Sequence, residues 1–144
     1  MTEQYFREAN LDDANELVSL MVELGYKTSR NDILERIKSI KSRNDKLIVA
    51  VEGEVVVGVI HALIDMRLAE GEAGEIVSLI VKHDFRGKGI GRKLVNKAIE
   101  SLKIAECKTI RVRANTIRKE AHGFYKTLGF VEKKTQKVFE YINV

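Results

Sequence analysis

The sequence predicts an α/β fold of the mixed-sheet (α+β) kind: about seven mostly antiparallel strands with one parallel pair, and four helices. Three observations predict it. Apolar residues recur either at helical spacing or in β-rich runs along the whole chain. The resulting order is β-α-α-β-β-β-α-β-α-β-β, a meander followed by a crossover through a helix, which is neither a doubly wound sheet nor a sandwich. Finally, 144 residues with 44% hydrophobic and 32% charged content make one ordinary domain, and no proline, repeat or low-complexity tract divides it. The expected organisation is a single domain over 1–144.

The elements follow in order. A short strand covers 4–7. Asn10 reads as a helix N-cap, with Asp12 and Asp13 in a first turn where acids suit the helix dipole. Ala14, Leu17, Val18, Met21 and Leu24 have helical spacing, and Gly25 is a stop. Ile33, Leu34, Ile37 and Ile40 give one face to a second helix over 31–42. The β-rich runs 46–52 and 55–65 make a hairpin around Gly53. Gly71 and Gly74 punctuate, and 75–81 is the next strand. Ile90, Leu94, Val95, Ala98, Ile99 and Leu102 face inward from a helix over 89–102. A strand over 109–114, a helix over 118–128 and strands over 130–134 and 138–142 complete the chain.

Charge is uneven. Residues 1–81 carry 9 Lys/Arg against 15 Asp/Glu, and residues 82–144 carry 16 against 6. The basic half suits a small anion, the acidic half a cation. Aromatic residues do not interleave with the basic ones and no nucleic-acid motif is present, so nucleic acid is not the expected partner. Apolar runs are far too short for a membrane span. The start MTEQYFREAN lacks a secretory h-region, and one Cys excludes an internal disulfide framework; the expected compartment is the cytoplasm. Three His with one Cys make no structural zinc site, and no metal is expected.

The chemistry concentrates after the strand that ends at Val81. There Arg86-Gly87-Lys88-Gly89-Ile90-Gly91 opens an amphipathic helix. Glycines let the backbone bend and a ligand approach closely, while free N–H groups at a helix start attract anions. Arg86, Lys88, Arg92 and Lys93 add positive charge at the same place. Strand, glycine-rich turn and helix together read as a phosphate or pyrophosphate cradle. It is not a P-loop, because Gly87-Lys88 is followed by Gly, and its glycine spacing departs from the dinucleotide fingerprint. The plainer reading is a tight strand-to-helix turn.

Arg86-x-x-Gly89-x-Gly91 resembles the R/Q-x-x-G-x-G/A signature of the GNAT superfamily of N-acetyltransferases. A second segment, Asn115 followed by Ala121-His-Gly-Phe-Tyr-Lys-Thr-Leu-Gly-Phe130, is similar to that family's N…A…FY-x-x-LGF stretch. The resemblance covers nearly the whole chain in length and element order. It implies a GNAT fold, in which the central parallel pair splays to admit acetyl-coenzyme A as cosubstrate. It further implies that backbone groups of Leu79 and Val81 hold the pantetheine arm. Backbone N–H groups from Arg86 through Gly87, Lys88, Gly89, Ile90 and Gly91 would cradle the pyrophosphate, and Asn115 would contact the pantetheine. Tyr125 would protonate the departing thiolate, and Glu75 would deprotonate the incoming amine. A ternary complex and direct attack follow, with a small-molecule or peptide amine as acceptor.

Each role has a plainer competitor. Tyr125 also fits a core aromatic beside Phe124 and Leu128. Asn115 fits an Asx turn. Glu75 fits a solvated strand acid, and it shares a side with Val77, Leu79 and Val81 only if the strand carries no bulge. His61, within an apolar strand, is the rival base. His83, His122 and Cys107 have no motif behind them. A catalytically idle acyl-coenzyme A sensor is the alternative function, and a homodimer stays open.

Overall fold

The computed structural model describes residues 3–114 and 116–143. Two compact units emerge, Met1–Val112 and Arg113–Val144.

The first unit is built on a five-stranded sheet in the order β1-β2-β3-β4-β5. Its strands are β1 Gln4–Glu8, β2 Lys46–Glu52, β3 Val55–Arg67, β4 Gly71–Val81 and β5 Ile110–Val112. Each of the first three runs antiparallel to the next, and β5 is parallel to β4. Between them come α1 Ala14–Glu23, α2 Arg30–Ser42 and α3 Ile90–Ile104. Asn10 caps the turn leading into α1, and its reciprocal partner is the Asp13 carboxylate. Ser29 and Asp32 make the same box at the start of α2.

Both faces of the sheet are covered. Leu17 and Leu20 of α1 and Ile33 and Ile37 of α2 pack with Val49, Val59 and Ile80 in one core cluster. On the other face, Leu94, Val95, Ala98 and Leu102 of α3 are fully buried. Each such Leu or Val side chain contributes about 1.5–3 kcal/mol relative to exposure. Gly58 and Gly74 permit α3 to sit close. A Cβ at Gly74 would stand 2.7 Å from Leu102 Cδ1, and one at Gly58 would stand 3.1 Å from Leu94 Cδ1. Gly74 therefore belongs inside β4; the expected break over 71–74 is instead four residues of strand.

The second unit contains α4, Lys119–Thr127, which ends at Gly129 in the left-handed region with φ 94°. The strands expected over 130–134 and 138–142 are not formed, so the sheet has five strands rather than about seven. β-rich composition makes a strand only where backbone N–H and C=O groups find a ladder partner. Among the described residues those segments have none. No helix of the described residues is long and apolar enough to cross a membrane.

Candidate active site

The site begins with an irregularity in β4. Ser78 stands opposite His61 and Ile76 opposite Ala62, so Val77 is an extra residue without a counterpart on β3. This β-bulge reverses the alternation. Glu75, opposite Leu63, shares a face with Ser78 and Ile80, whose side chains lie on the α1/α2 side. It does not share a side with Leu79 and Val81, as a regular strand would require.

The outer edge of β4 is open where the parallel pair stops. The β4/β5 ladder covers only Gly74–Ile76 against Ile110–Val112. Residues 77–81 continue without a ladder partner on that edge among the described residues. Lys82 donates its N–H to the Val57 carbonyl at 2.8 Å, which fixes its backbone groups toward β3. By alternation, the N–H and C=O groups of Val81 and Leu79 point the other way, to the open edge. Arg86 Nε donates to the Val81 carbonyl at 2.9 Å, folding its guanidinium back over the strand end.

A 3-10 turn, His83–Phe85, leads from β4 into the glycine turn. Its first N–H donates to the Glu23 carboxylate at the end of α1, at 2.8 Å. Gly87 and Gly89 have φ 77° and 83°, the left-handed region that side chains resist. Nothing lies within 4 Å of where a Cβ would stand at either residue. Gly89 begins α3 without a side-chain cap, and no acid occupies the first turn. The first N–H groups of a 15-residue helix are thus offered outward beside open backbone. Lys88 lies over the Phe85 ring at 5.1 Å, and Lys93 Nζ donates to Gln4 Oε1 at 3.1 Å. The turn therefore presents main-chain donors, with these two lysines turned aside.

Glu75 is largely buried and held by charge. Arg111, its register partner on β5, approaches Oε1 at 3.4 Å, and Arg67 approaches the same oxygen at 3.9 Å. Arg111 also pairs with Glu70 at 2.8 Å, and Arg67 with Asp65 at 2.6 Å. The sequence reading missed this network. Four of its members, Asp65, Arg67, Glu70 and Glu75, lie close together around the turn from β3 to β4, but Arg111 is 36 residues beyond Glu75 and no spacing pattern joins it to them.

His61 lies inside the first unit. Burial pushes its pKa down, with the nearby Asp45 carboxylate opposing, and its Nε2 is buried without a hydrogen-bond partner among the described residues. Cys107 is buried, and burial followed by Glu72 raises its pKa, so it holds its thiol proton. Among the described residues no cluster of three or more His, Cys, Asp or Glu could hold a metal ion.

In the second unit, the Tyr125 ring meets Phe124 and Phe130 edge-on, with centroids 5.1 and 5.6 Å away. Burial pushes its phenol up, with Arg118 opposing, so the hydroxyl keeps its proton at neutral pH. Asn115 lies outside the described residues.

The acetyltransferase (GNAT) family matches residues 11–130. A protein described as an uncharacterized N-acetyltransferase from Methanocaldococcus jannaschii is 44% identical over 71 residues, which are 49% of this chain and 31% of that protein. N-alpha-acetyltransferase 30 of Xenopus laevis is 36% identical over 93 residues, 65% of this chain and 33% of that protein. The chain thus spans about a third of the length of these relatives. An aminoglycoside N-acetyltransferase in complex with coenzyme A has the same fold, with a TM-score of 0.84 at 16% identity, covering 99% of this chain and 96% of that one. The left-handed glycine turn and the open β4 edge occur in a chain whose matched span runs from the first helix to Phe130: this chain belongs to the acetyltransferase (GNAT) family.

Proposed function

We propose that the chain is an acetyl-coenzyme A-dependent N-acetyltransferase acting on a primary amine. The observation that carries this is the juxtaposition of the open β4 edge at Leu79 and Val81 with the glycine turn that starts α3. An extended pantetheine arm needs a strand edge with free N–H and C=O groups, and a pyrophosphate needs converging main-chain donors. Both are offered by consecutive segments of one chain. The family match over 11–130 crosses the boundary between the two compact units, which supports one domain over 1–144.

Acetyl-coenzyme A, when bound, supplies an acetyl group activated as a thioester. The backbone groups of Leu79 and the Val81 N–H hold the arm, the Val81 carbonyl being taken by Arg86 Nε. The N–H groups from Gly87 to Gly91 receive the phosphates, because the Arg86 N–H, expected in the cradle, donates instead to the His83 carbonyl at 3.3 Å. Arg86 holds the strand end through the Val81 carbonyl. Val81 N–H is also the donor suited to stabilise negative charge developing on the carbonyl oxygen. Glu75 takes the proton that an ammonium of pKa about 10.4 must lose before it can attack. The Tyr125 hydroxyl, kept protonated by burial, is the proton source for the departing sulfur. Asn115 contacts the arm. The acceptor is a small-molecule or peptide amine.

Calorimetric titration with acetyl-coenzyme A, followed by a coenzyme A-release assay over a panel of amines, tests the reading. Binding with amine-dependent release is the expected result. Tight binding without release for any amine would make the chain an idle acyl-coenzyme A module, and no binding would end the proposal.

A further inference from the structure

Beneath the inner face of α2 lies a cavity of about 480 Å³, within the range of small-ligand sites. Eight of its fifteen lining residues are apolar, among them Met21 of α1, Ile37 and Ile40 of α2, and Leu47, Val59 and Leu63 of the sheet. Of the seven polar residues that complete the lining, two lie on β3 and β4. His61 and Ser78 face each other across β3 and β4 and both line the cavity. The lining also includes Glu35, Arg36, Arg43 and Asp45, whose formal charges cancel.

Three features point to an occupant. His61 is a buried polar side chain whose Nε2 lacks a partner among the described residues, a cost of about 1–3 kcal/mol that a packed core ordinarily avoids. Ser78 immediately precedes Leu79, so the cavity floor and the open strand edge are neighbouring residues of one strand. The wall chemistry limits what can enter: aliphatic side chains favour an apolar group, and balanced charge gives a polycation no net attraction.

We propose that this cavity is the acceptor pocket, taking the aliphatic or aromatic body of a primary amine with the His61 imidazole as its polar contact, and so selecting apolar-bodied amines over polyamines and amino sugars. The proposal rests on the acetyltransferase reading given above.

The test uses phenethylamine as the apolar-bodied probe, with spermidine and glucosamine as the polar ones. Three results are expected. The KM for phenethylamine lies at least tenfold below those for the other two. His61→Ala raises that KM about tenfold or more, while the Kd for acetyl-coenzyme A stays as in the wild type. In ¹⁵N spectra of the unmodified protein, the His61 imidazole signals shift when phenethylamine is added. Should the alanine variant not fold, His61→Gln and the wild-type spectra carry the same decision. Preference for spermidine or glucosamine, an unchanged KM in the His61 variant, or imidazole signals unmoved by phenethylamine each overturn the pocket while leaving an enzyme that binds acetyl-coenzyme A intact. Loss of acetyl-coenzyme A binding by the unmodified protein is a different failure, which removes the acetyltransferase reading and the pocket together.

Discussion

Arg111 and Glu75 face each other across the parallel pair of β5 and β4, 3.4 Å apart, with side chains only 17% and 13% exposed. A carboxylate held there, with Arg67 on its other flank, must loosen an ion pair to receive a proton from an amine. With Glu75 as the base, Glu75→Gln is expected to lower kcat by about 10²–10⁴-fold, remove the acidic limb of the pH profile and leave acetyl-coenzyme A affinity intact. Arg111→Met is expected to cost about 1–3 kcal/mol of stability by taking from the largely buried carboxylate the nearer of its two guanidinium partners. A Gln variant with wild-type rate and pH dependence would leave Glu75 as a strut between strands and move the base to His61 or water.

Gly89 tests the cradle. A valine there opposes a left-handed φ of 83° and crowds the open backbone. Gly89→Val is expected to weaken acetyl-coenzyme A binding at least tenfold, about 1.4 kcal/mol, by calorimetry. Gly25, with φ 95° and equally open surroundings, is the matched control. Gly25→Val should cost similar melting temperature and no affinity. Equal affinity losses in both would mean that strain, not the cradle, is being measured.

Tyr125→Phe keeps the ring and its edge contacts with Phe124 and Phe130 while deleting the hydroxyl. If the phenol supplies the proton, kcat should fall by about ten- to a thousandfold and the basic limb of the pH profile should move. The melting temperature should barely change. Intact kcat with lowered stability would assign the hydroxyl to packing, with water protonating the thiolate.

Asp13 sets an acid limit on folding. Burial works against its charge, but the Arg7 guanidinium, with two contacts of 2.8 Å, and the Asn10 N–H outweigh it and hold the carboxyl below its usual range. A carboxyl depressed in the folded state contributes stability that is complete above its unfolded pKa, about 3.9, and that is lost as pH falls through the folded value. Denaturation midpoints should therefore be flat on this account above about pH 5 and fall below about pH 4. Asp13→Asn should be less stable at neutral pH and show a shallower acid decline; a parallel decline would place the acid sensitivity elsewhere.

Gly74 and Leu102 are expected to behave as a coupled pair. With 2.7 Å between a new Cβ and Leu102 Cδ1, Gly74→Ala should destabilise by about 1–3 kcal/mol. In a Leu102→Ala background the same change should cost less, because the crowding is gone. Additive costs in chemical denaturation would show that the strand, rather than the helix contact, resists the methyl.

Local signals were readable where the chemistry is local. Asn10 caps its turn, the apolar faces of α1, α2 and α3 are buried or partly buried as their spacing predicts, and Gly87 and Gly89 adopt the conformation that a tight strand-to-helix turn demands. Tertiary features were hidden. The bulge at Val77 has no compositional mark, because Val suits a regular strand equally well. Arg111 meets Glu75 and Glu70 across 36 and 41 residues of chain, distances at which sequence spacing says nothing. Gly74 looked like a loop residue because the helix that requires a bare backbone there is specified elsewhere. Residues 130–134 and 138–142 have strand composition without a ladder partner among the described residues.

The extra residue at Val77 makes β4 two half-strands written out of phase. Deleting that one residue would remove no large side chain from the core, yet it would exchange the α3 side for the α1/α2 side along residues 71–76. Glu75 would turn toward α3, and Ile76 toward the layer of α1 and α2. The two halves are therefore constrained as separate words: a substitution tolerated at an even position before Val77 has its counterpart at an odd position after it.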